Sequence, residues 1–377
     1  MIKIYQVGGS VRDELMGKPS ADLDYVVVGA SDKDLLKKGF TQVGADFPVF
    51  LHPETKDEYA LARTERKTGN GYSGFETFFD SSVTLEEDLK RRDLTINAMA
   101  KDSQGNIIDP FGGKEDIKNK ILKHVSPAFS EDPLRILRVA RFASRFGFSI
   151  HPETMTLMQE IHNEGETKFL TKERIWKEYS RVLKHDQVSL FYKCLNDVGV
   201  GKSIFPEFYT YDFPEFYLTD FYDDFLKNKD IKNKIIFNIL PPESSMFVKD
   251  SIIDNLKNIS APKDIIDGVS IVSKMWNDIH QSELNESFYL NFIIKNDALR
   301  RKDRFMEAYS IVLEHSSYIN SHVILPDLKK MNIWVDSSNI DAKIIAGEGS
   351  KNTIAERVFK ARQDSFSMAY RNKSFKR

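Results

Sequence analysis

Two rhythms of apolar and polar residues divide this chain. Over residues 1–125, short β-branched runs alternate with turns rich in Gly, Asp and Pro, the pattern of strands and short helices. Ile2–Val7 and Leu23–Val28 have the length and branching of buried strands. Phe47–His52 and Glu58–Arg63 are the next strand candidates, joined by turn chemistry in Pro53-Glu54-Thr55-Lys56-Asp57. Ser31–Lys38 predicts a helix with Ser31 as its N-cap, ended by Gly39. The spacing predicts a further helix over Leu85–Ala100, with Leu89, Ile96 and Met99 facing a core and Arg91 and Arg92 elsewhere on the wheel. From residue 145 onward the rhythm is mainly helical, with amphipathic spacing over Glu153–Ile161 and Thr171–Leu183. The expected fold class is therefore α+β: an N-terminal mixed sheet with helices, then an all-α remainder.

Between the first two strands stands Gly8-Gly9-Ser10-Val11-Arg12-Asp13, followed by Asp22-Leu23-Asp24. Neither residue of a Gly-Gly pair carries a Cβ, so the backbone can turn sharply and approach a polyanion closely. A helix starting just after the turn aims free N–H groups at a phosphate. Asp22 and Asp24 leave the same face of a strand, and two like charges there invite a hard divalent cation such as Mg²⁺. Each feature alone is commonly a plain turn or a solvated pair; together they point to nucleotidyl transfer. In the strand at Glu58, that residue shares a face with Ala60 and Ala62. It is either a third carboxylate near Asp22 and Asp24 or an exposed edge glutamate. Thr64–Ser82, with Gly69, Gly71 and Gly74 among Arg66, Lys67 and Tyr72, reads as a loop, either disordered or a functional flap. Asp109-Pro110-Phe111-Gly112-Gly113 reads as a structural turn.

Composition narrows the setting without naming the chemistry. The chain has 377 residues, 29% of them charged, and a formal net charge of −2, so no global basic field announces nucleic acid and any such contact must be local. One cysteine, Cys194, excludes a disulfide framework and a Cys-based zinc site and fits a reducing cytoplasm. No signal-peptide layout is present, and no apolar run reaches the roughly 20 residues of a membrane helix. The expectation is a soluble, cytoplasmic protein without membrane contact, of two or more domains.

A second informative stretch runs from Ser130 to Phe142. Pro133 fits a first helical turn and makes Asp132 a natural N-cap. Arg135, Arg138 and Arg141 form a slowly spiralling stripe, while Leu134, Leu137, Ala140 and Phe142 lie towards the core. One reading is a capped helix with a solvated basic face. The other uses hydrogen-bond chemistry: Asp accepts from the exocyclic amine of C or A, and Arg donates to C N3 or O2, or to A N1. Such a pair accepts C and A and rejects U and G, whose carbonyls face the carboxylate.

Taken in order and spacing, Gly8-Gly9-x-Val11-Arg12-Asp13, Asp22-x-Asp24, Arg91-Arg92-Asp93-x-x-x-Asn97-Ala98 and Glu131-Asp132-x-x-Arg135 resemble the class II tRNA nucleotidyltransferases. These are the CCA-adding enzymes of the polymerase β-like nucleotidyltransferase superfamily. The stretches 46–53, Tyr59–Lys67 and His124–Arg145 resemble the proteobacterial branch, and the likeness is close to about residue 185 and thin beyond. The resemblance implies a catalytic head over 1–125, a neck with the base-selecting helix over 126–200, and a helical, tRNA-binding body and tail over 201–377. It implies that Asp22 and Asp24 bind two Mg²⁺ ions, with Glu58 as a third catalytic carboxylate. Gly9, Arg12, Arg92, Asp132, Arg135, Arg138 and Arg141 are then the CTP- and ATP-binding residues, Asp132 and Arg135 serving as a protein template for the base. Loop 64–82 is implied as the element switching from C to A. The implied activity is template-independent addition of C, C and A to the 3′ end of tRNA, with release of pyrophosphate. The partners implied are tRNA, held at its acceptor end and elbow, with CTP and ATP, and the enzyme is a monomer or dimer. A poly(A) polymerase shares the head motifs, and a catalytically inactive RNA-binding relative is the third reading.

Two parts of the second half bear on that family. Phe205–Phe225 is crowded with Phe, Tyr, Asp and Glu and reads as core and acidic surface, since its carboxylates repel phosphate. Residues 341–377 hold nine Lys or Arg against four Asp or Glu, include Gly347-Glu348-Gly349, and carry a helix pattern through Ile354, Val358 and Arg362, as a tail or a solvated terminal helix. His185-Asp186 is the one His-Asp pair, and with no His-rich cluster after it the HD phosphohydrolase domain of many relatives is expected to be absent.

Overall fold

The computed structural model describes residues 2–18, 23–43, 49–67, 75–185, 187–205, 220–227, 229–240, 248, 251–280, 282–319, 321, 323–341 and 353–371. The chain packs as two units, one of residues 1–204 and 218–227, the other of 205–217 and 228–377.

The first unit is built on a seven-stranded sheet. Its strands are β1 (Lys3–Val7), β2 (Asp24–Val28), β3 (Thr41–Val43), β4 (Val49–Leu51), β5 (Glu58–Leu61), β8 (Ala100–Lys101) and β9 (Ile107–Ile108), in the order β3-β4-β5-β2-β1-β8-β9. All neighbours are antiparallel except β2 and β5, which run parallel in a register that sets Asp24 opposite Glu58. Alternation gives the sheet two apolar faces. On one, Val27, Phe50 and Leu61 pack with Leu35 of α2 (Asp32–Lys37). On the other, Val7, Val26 and Ala100 pack with Leu89 of α3 (Leu85–Lys90). The capping of α2 is as expected: the Ser31 Oγ and N–H both donate to Asp34. Between β1 and β2, α1 (Gly9–Leu15) begins inside the Gly8-Gly9 turn.

Two expectations are corrected here. Residues 85–100 are not one helix; α3 stops at Lys90, a 3₁₀ turn covers Thr95–Asn97, and β8 starts at Ala100. The Asp93 carboxylate takes the Leu94 N–H at 2.8 Å and the Asn97 side chain at 2.9 Å, offering the backbone an alternative to the helix ladder. The 64–82 stretch is also not all loop, because β6 (Thr64–Lys67) and β7 (Phe75–Phe78) pair as an antiparallel ribbon. Its Gly69, Gly71, Tyr72 and Gly74 lie outside the described residues.

The turn at 109–113 is structural, as expected. Asp109 accepts the Gly113 and Lys114 N–H groups at the start of α4 (Gly113–Asn119), each at 2.8 Å. A Cβ on Gly113 would stand 2.3 Å from the Thr95 carbonyl oxygen, so no other residue fits without moving backbone.

After β10 (Ile121–Leu122), the unit turns helical with α5 (Leu134–Phe146), which leads to β11 (Ser149–Ile150), the parallel partner of β10. Then come α6 (Pro152–Asn163), α7 (Lys172–Val182), α8 (Val188–Val198), α9 (Gly201–Ile204) and, from beyond residue 217, α10 (Asp220–Leu226). Helix α5 lies against α7 and α8. Asp223 of α10 accepts the Ser189 N–H at 3.0 Å in the first turn of α8, satisfying one of its orphan donors.

The second unit is helical throughout its described part: α11 (Ile231–Ile239), α12 (Ser251–Asn258), α13 (Lys263–His280), α14 (Glu286–Lys295), α15 (Lys302–Tyr318), α16 (Leu328–Ser338) and α17 (Ile354–Arg371). Its core is built on the fully buried Trp276, Phe305, Tyr309 and Trp334. The terminal helix foreseen through Ile354, Val358 and Arg362 is α17, while Gly347-Glu348-Gly349 and residues 206–219 lie outside the described residues. Among the described residues no helix is long and apolar enough to cross a membrane.

Candidate active site

One cleft of about 860 Å³ in the first unit is lined by Gly9, Arg12, Asp24, Glu58, Arg92, Asp132, Arg135, Arg138 and Arg141. These are nine of the ten residues singled out in the sequence. The tenth, Asp22, lies outside the described residues. Residues more than a hundred positions apart are thus brought to one place by the sheet and by α5.

At the sheet end, Asp24 opens β2 and Glu58 opens β5, and both are exposed. Their paired register sends both carboxylates off the same face. Glu58 thus stands beside Asp24 on a strand inside the sheet and not on one of its edges. Two hard oxygen donors at adjacent strand ends suit a divalent cation. Among the described residues no group of three or more acidic, His or Cys side chains forms a metal cage.

The sharp turn expected at the glycine pair is present. Gly8 has φ +73°, and a Cβ on it would stand 2.9 Å from the Arg92 guanidinium. A Cβ on Gly9 would stand 3.3 Å from that of Arg12. The positive φ is what calls for glycine at Gly8, while the two guanidinium ends close against the turn belong to side chains that can shift.

Arg12 is buried and heavily partnered. Its Nε donates to Asp13 at 2.8 Å and its Nη1 to the Asn97 side-chain oxygen. Its guanidinium lies 5.2 and 4.9 Å from the ring centres of Phe142 and Phe146 on α5. Burial lowers its pKa from the usual arginine value, against the opposing pull of Asp13. Asp13 also takes Arg145 of α5 at 2.9 Å. Asp93 takes Arg138 at 2.6 Å as well as Asn97, so burial, which raises its pKa, is outweighed by Arg138 and Asn97. The result is a continuous chain, Arg138–Asp93–Asn97–Arg12–Asp13–Arg145, leaving α5 and returning to it two turns later.

Further pairs line the same walls. Asp88 takes Arg91 at 2.7 Å and Arg92 at 3.1 Å; burial raises its pKa, but the two arginines win and hold it at about 2. Glu178 takes Arg141 at 2.6 Å and Arg181 at 3.2 Å. The solvated-face reading of α5 is excluded, since Arg135 and Arg141 are buried. Ten arginines and Lys184 line the cleft against six carboxylates, a local excess that the net charge of the chain conceals.

Asp132 stands just before α5 in extended conformation and accepts the Leu134 N–H at 3.1 Å, the capping work foreseen for it. Its carboxylate also receives Arg174 of α7 in a two-point fork at 3.2 and 2.7 Å. Arg135 donates to the carbonyls of Ala128 and Arg91, each at 2.7 Å, which fixes its guanidinium plane. Sequence reasoning missed Arg174, Arg145 and Asp88, and it quoted Asp13 within the glycine motif without giving it a role. Arg145 lay seven residues after Arg138, so helical spacing carried a signal for it. No local pattern marks Arg174, whose role depends on how α7 packs on α5.

Residues 4–123 match the family described as "Poly A polymerase head domain", and 147–211 match "Probable RNA and SrmB- binding site of polymerase A". A "CCA-adding enzyme" from Coxiella burnetii is 45% identical over 307 residues, 81% of this chain and 79% of that protein. A "Multifunctional CCA protein" from Acinetobacter baumannii is 58% identical over 209 residues, 55% of this chain and 51% of that protein. The chain thus spans about half the length of the multifunctional relatives. The fold is that of the Bacillus stearothermophilus CCA-adding enzyme in complex with CTP (20% identity, TM-score 0.60, covering 97% of this chain and 89% of that one). It is equally that of the Thermotoga maritima enzyme complexed with tRNA (20% identity, TM-score 0.58, covering 98% and 91%).

Proposed function

This chain belongs to the family of CCA-adding enzymes, and on that footing we propose that it adds C, C and A to the 3′ end of tRNA from CTP and ATP, without a nucleic-acid template. The observation that carries the proposal is the shared cleft: the carboxylates Asp24 and Glu58 open into the same space as Asp132 and Arg135. Chemistry and base choice are thereby joined. Residues 1–125 serve as the catalytic head, 126–200 as the neck, and 201–377 as the tRNA-binding body and tail, in a protein of the cytoplasm.

Asp24 and Glu58, with Asp22, fit a hard divalent cation, and Mg²⁺ is the ion proposed. The chemistry Mg²⁺ supplies in such a site is a lowered pKa for the attacking 3′-hydroxyl and neutralised charge on the triphosphate. The protein's own part is placement and charge. Arg12, anchored to Asp13 and Asn97, presents a fixed cation beside the glycine turn. Arg92, held by Asp88, presents a second within reach of ribose and phosphate. Pyrophosphate leaves into an arginine-rich wall.

Base choice follows from counting lone pairs. A carboxylate has about four acceptor sites. On Asp132, Leu134 and the two Arg174 nitrogens use three. One site then remains for an exocyclic amine, which C and A carry at the matching edge and U and G do not. Arg135, immobilised by two carbonyls, donates to the adjacent ring position.

The test uses tRNA ending before the CCA sequence, with labelled CTP and ATP supplied separately and together. The proposal expects CTP to give two additions and ATP one more only after them. ATP-only tailing would instead identify a poly(A) polymerase, and no incorporation an inactive RNA-binding relative. Asp24→Ala is expected to abolish both additions while tRNA binding persists.

A further inference from the structure

On the face of the sheet opposite the Asp24 and Glu58 carboxylates stands a pair of stacked rings. Asp24 and Glu58 are partners in the β2–β5 register, and the next pair along is Tyr25 and Tyr59. Alternation sends these two off the other face. Their rings lie 4.5 Å apart and 16° from parallel. Tyr59 is backed in turn by Phe40, edge-on at 5.0 Å, and by His52 at 5.7 Å. His52 also organises the turn that leads into Glu58. Its Nδ1 accepts the Glu54 and Thr55 N–H groups at 3.3 Å each, and its backbone N–H donates to the Asp57 carbonyl at 3.0 Å.

Burial alone does not account for the pair. The core on this face is closed by Val27, Phe50 and Leu61. Both tyrosines stand nearer the open strand ends and stay half-buried. Strand spacing accounts for them better. Neighbouring strands run about 4.8 Å apart, so rings on paired residues meet face to face only while the strands keep that distance. The pair in front works the other way, since like charges on opposed residues push strands apart. The stack closes the strand ends where the carboxylates would open them.

We propose that Tyr25 and Tyr59 are positioning residues: their stack, backed by Phe40 and His52, holds Asp24 and Glu58 at the separation a divalent cation needs. This rests on the function proposed above through its cation site alone. Neither ring needs to touch nucleotide or RNA. Without the stack the carboxylates must first be drawn together, and cation affinity falls accordingly.

The test compares Tyr25→Ala, Tyr25→Leu and Tyr25→Phe with wild type in the full chain. Mn²⁺ alone is titrated against each protein, and the free ion is read by electron paramagnetic resonance without nucleotide or turnover. The Mg²⁺ concentration for half-maximal tRNA extension, and KM for CTP at saturating Mg²⁺, are measured beside it. The brace predicts Mn²⁺ binding about 2- to 10-fold weaker in the Ala and Leu variants, the value of one aromatic pair. Half-maximal Mg²⁺ should rise by the same factor, with KM for CTP unchanged once Mg²⁺ saturates. Phe keeps the ring and should match wild type. Leu keeps the apolar bulk, so it decides the outcome if Ala does not fold. Wild-type cation binding in the Leu variant, no Mn²⁺ uptake by wild type, or a loss that excess Mg²⁺ does not relieve overturns the brace. Wild-type protein that binds Mn²⁺ yet extends no tRNA overturns the function and not the brace.

Discussion

Asp132 holds three hydrogen bonds, so the base selectivity proposed for it depends on a neighbour that touches no nucleotide in the scheme. Asp132→Ala is expected to narrow the preference for C and A over U and G by roughly 10- to 100-fold, the value of one good directional contact. Arg174→Lys keeps the charge but loses the two-point fork, so selectivity should fall while KM for CTP changes little; primer extension with each nucleotide alone reads this. An Arg174→Lys enzyme with wild-type selectivity contradicts the assigned role. Asp88 gives a pH prediction. Its pKa falls from 3.8 unfolded to about 2 folded, so its stabilisation is full above pH 4 and is lost as pH falls from about 4 to about 2. The size is about 2 kcal/mol, and Asp88→Asn should remove that part of the acid dependence in urea melts.

The elements divide by how local their causes are. The α2 cap, the α5 start at Asp132-Pro133 and the opening strands were legible, because Ser, Asp, Pro and β-branched runs act within a few residues of themselves. Residues 85–100 misled because apolar spacing continues through the break while Asp93 diverts the backbone. Asn97 links Arg12 to Asp93, and therefore couples the glycine turn to α5. Asn97→Ala leaves Arg12 and Asp93 short of a partner, a loss of about 1–3 kcal/mol, and should raise KM for CTP and ATP alike. Equal KM values in the variant would separate the chain from nucleotide binding. Gly113→Ala forces the backbone against Thr95 and should lower the melting temperature by several degrees, an overpacking cost of about 1–3 kcal/mol.

For the molecule as a whole, a net charge of −2 says little, because the cations that matter are gathered in one cleft. Composition averages over them; motif order did not, and nine of the ten residues it singled out line that one cleft. The partners that hold those residues were hidden, since each pair joins distant parts of the sequence, as Arg174 with Asp132 and Arg145 with Asp13. Cys194 lies in the core and burial pushes its thiol pKa up, so a thiol reagent should label it at the rate of unfolding. The central claim is that protein side chains, without a template strand, choose the nucleotides added. It is tested most directly by sequencing the 3′ ends made on tRNA ending before CCA when all four nucleotides compete. The account predicts ends in CCA for wild type, and U or G among them for Asp132→Ala. Wild-type ends of mixed or all-A sequence, or an unchanged CCA end from Asp132→Ala, would contradict it.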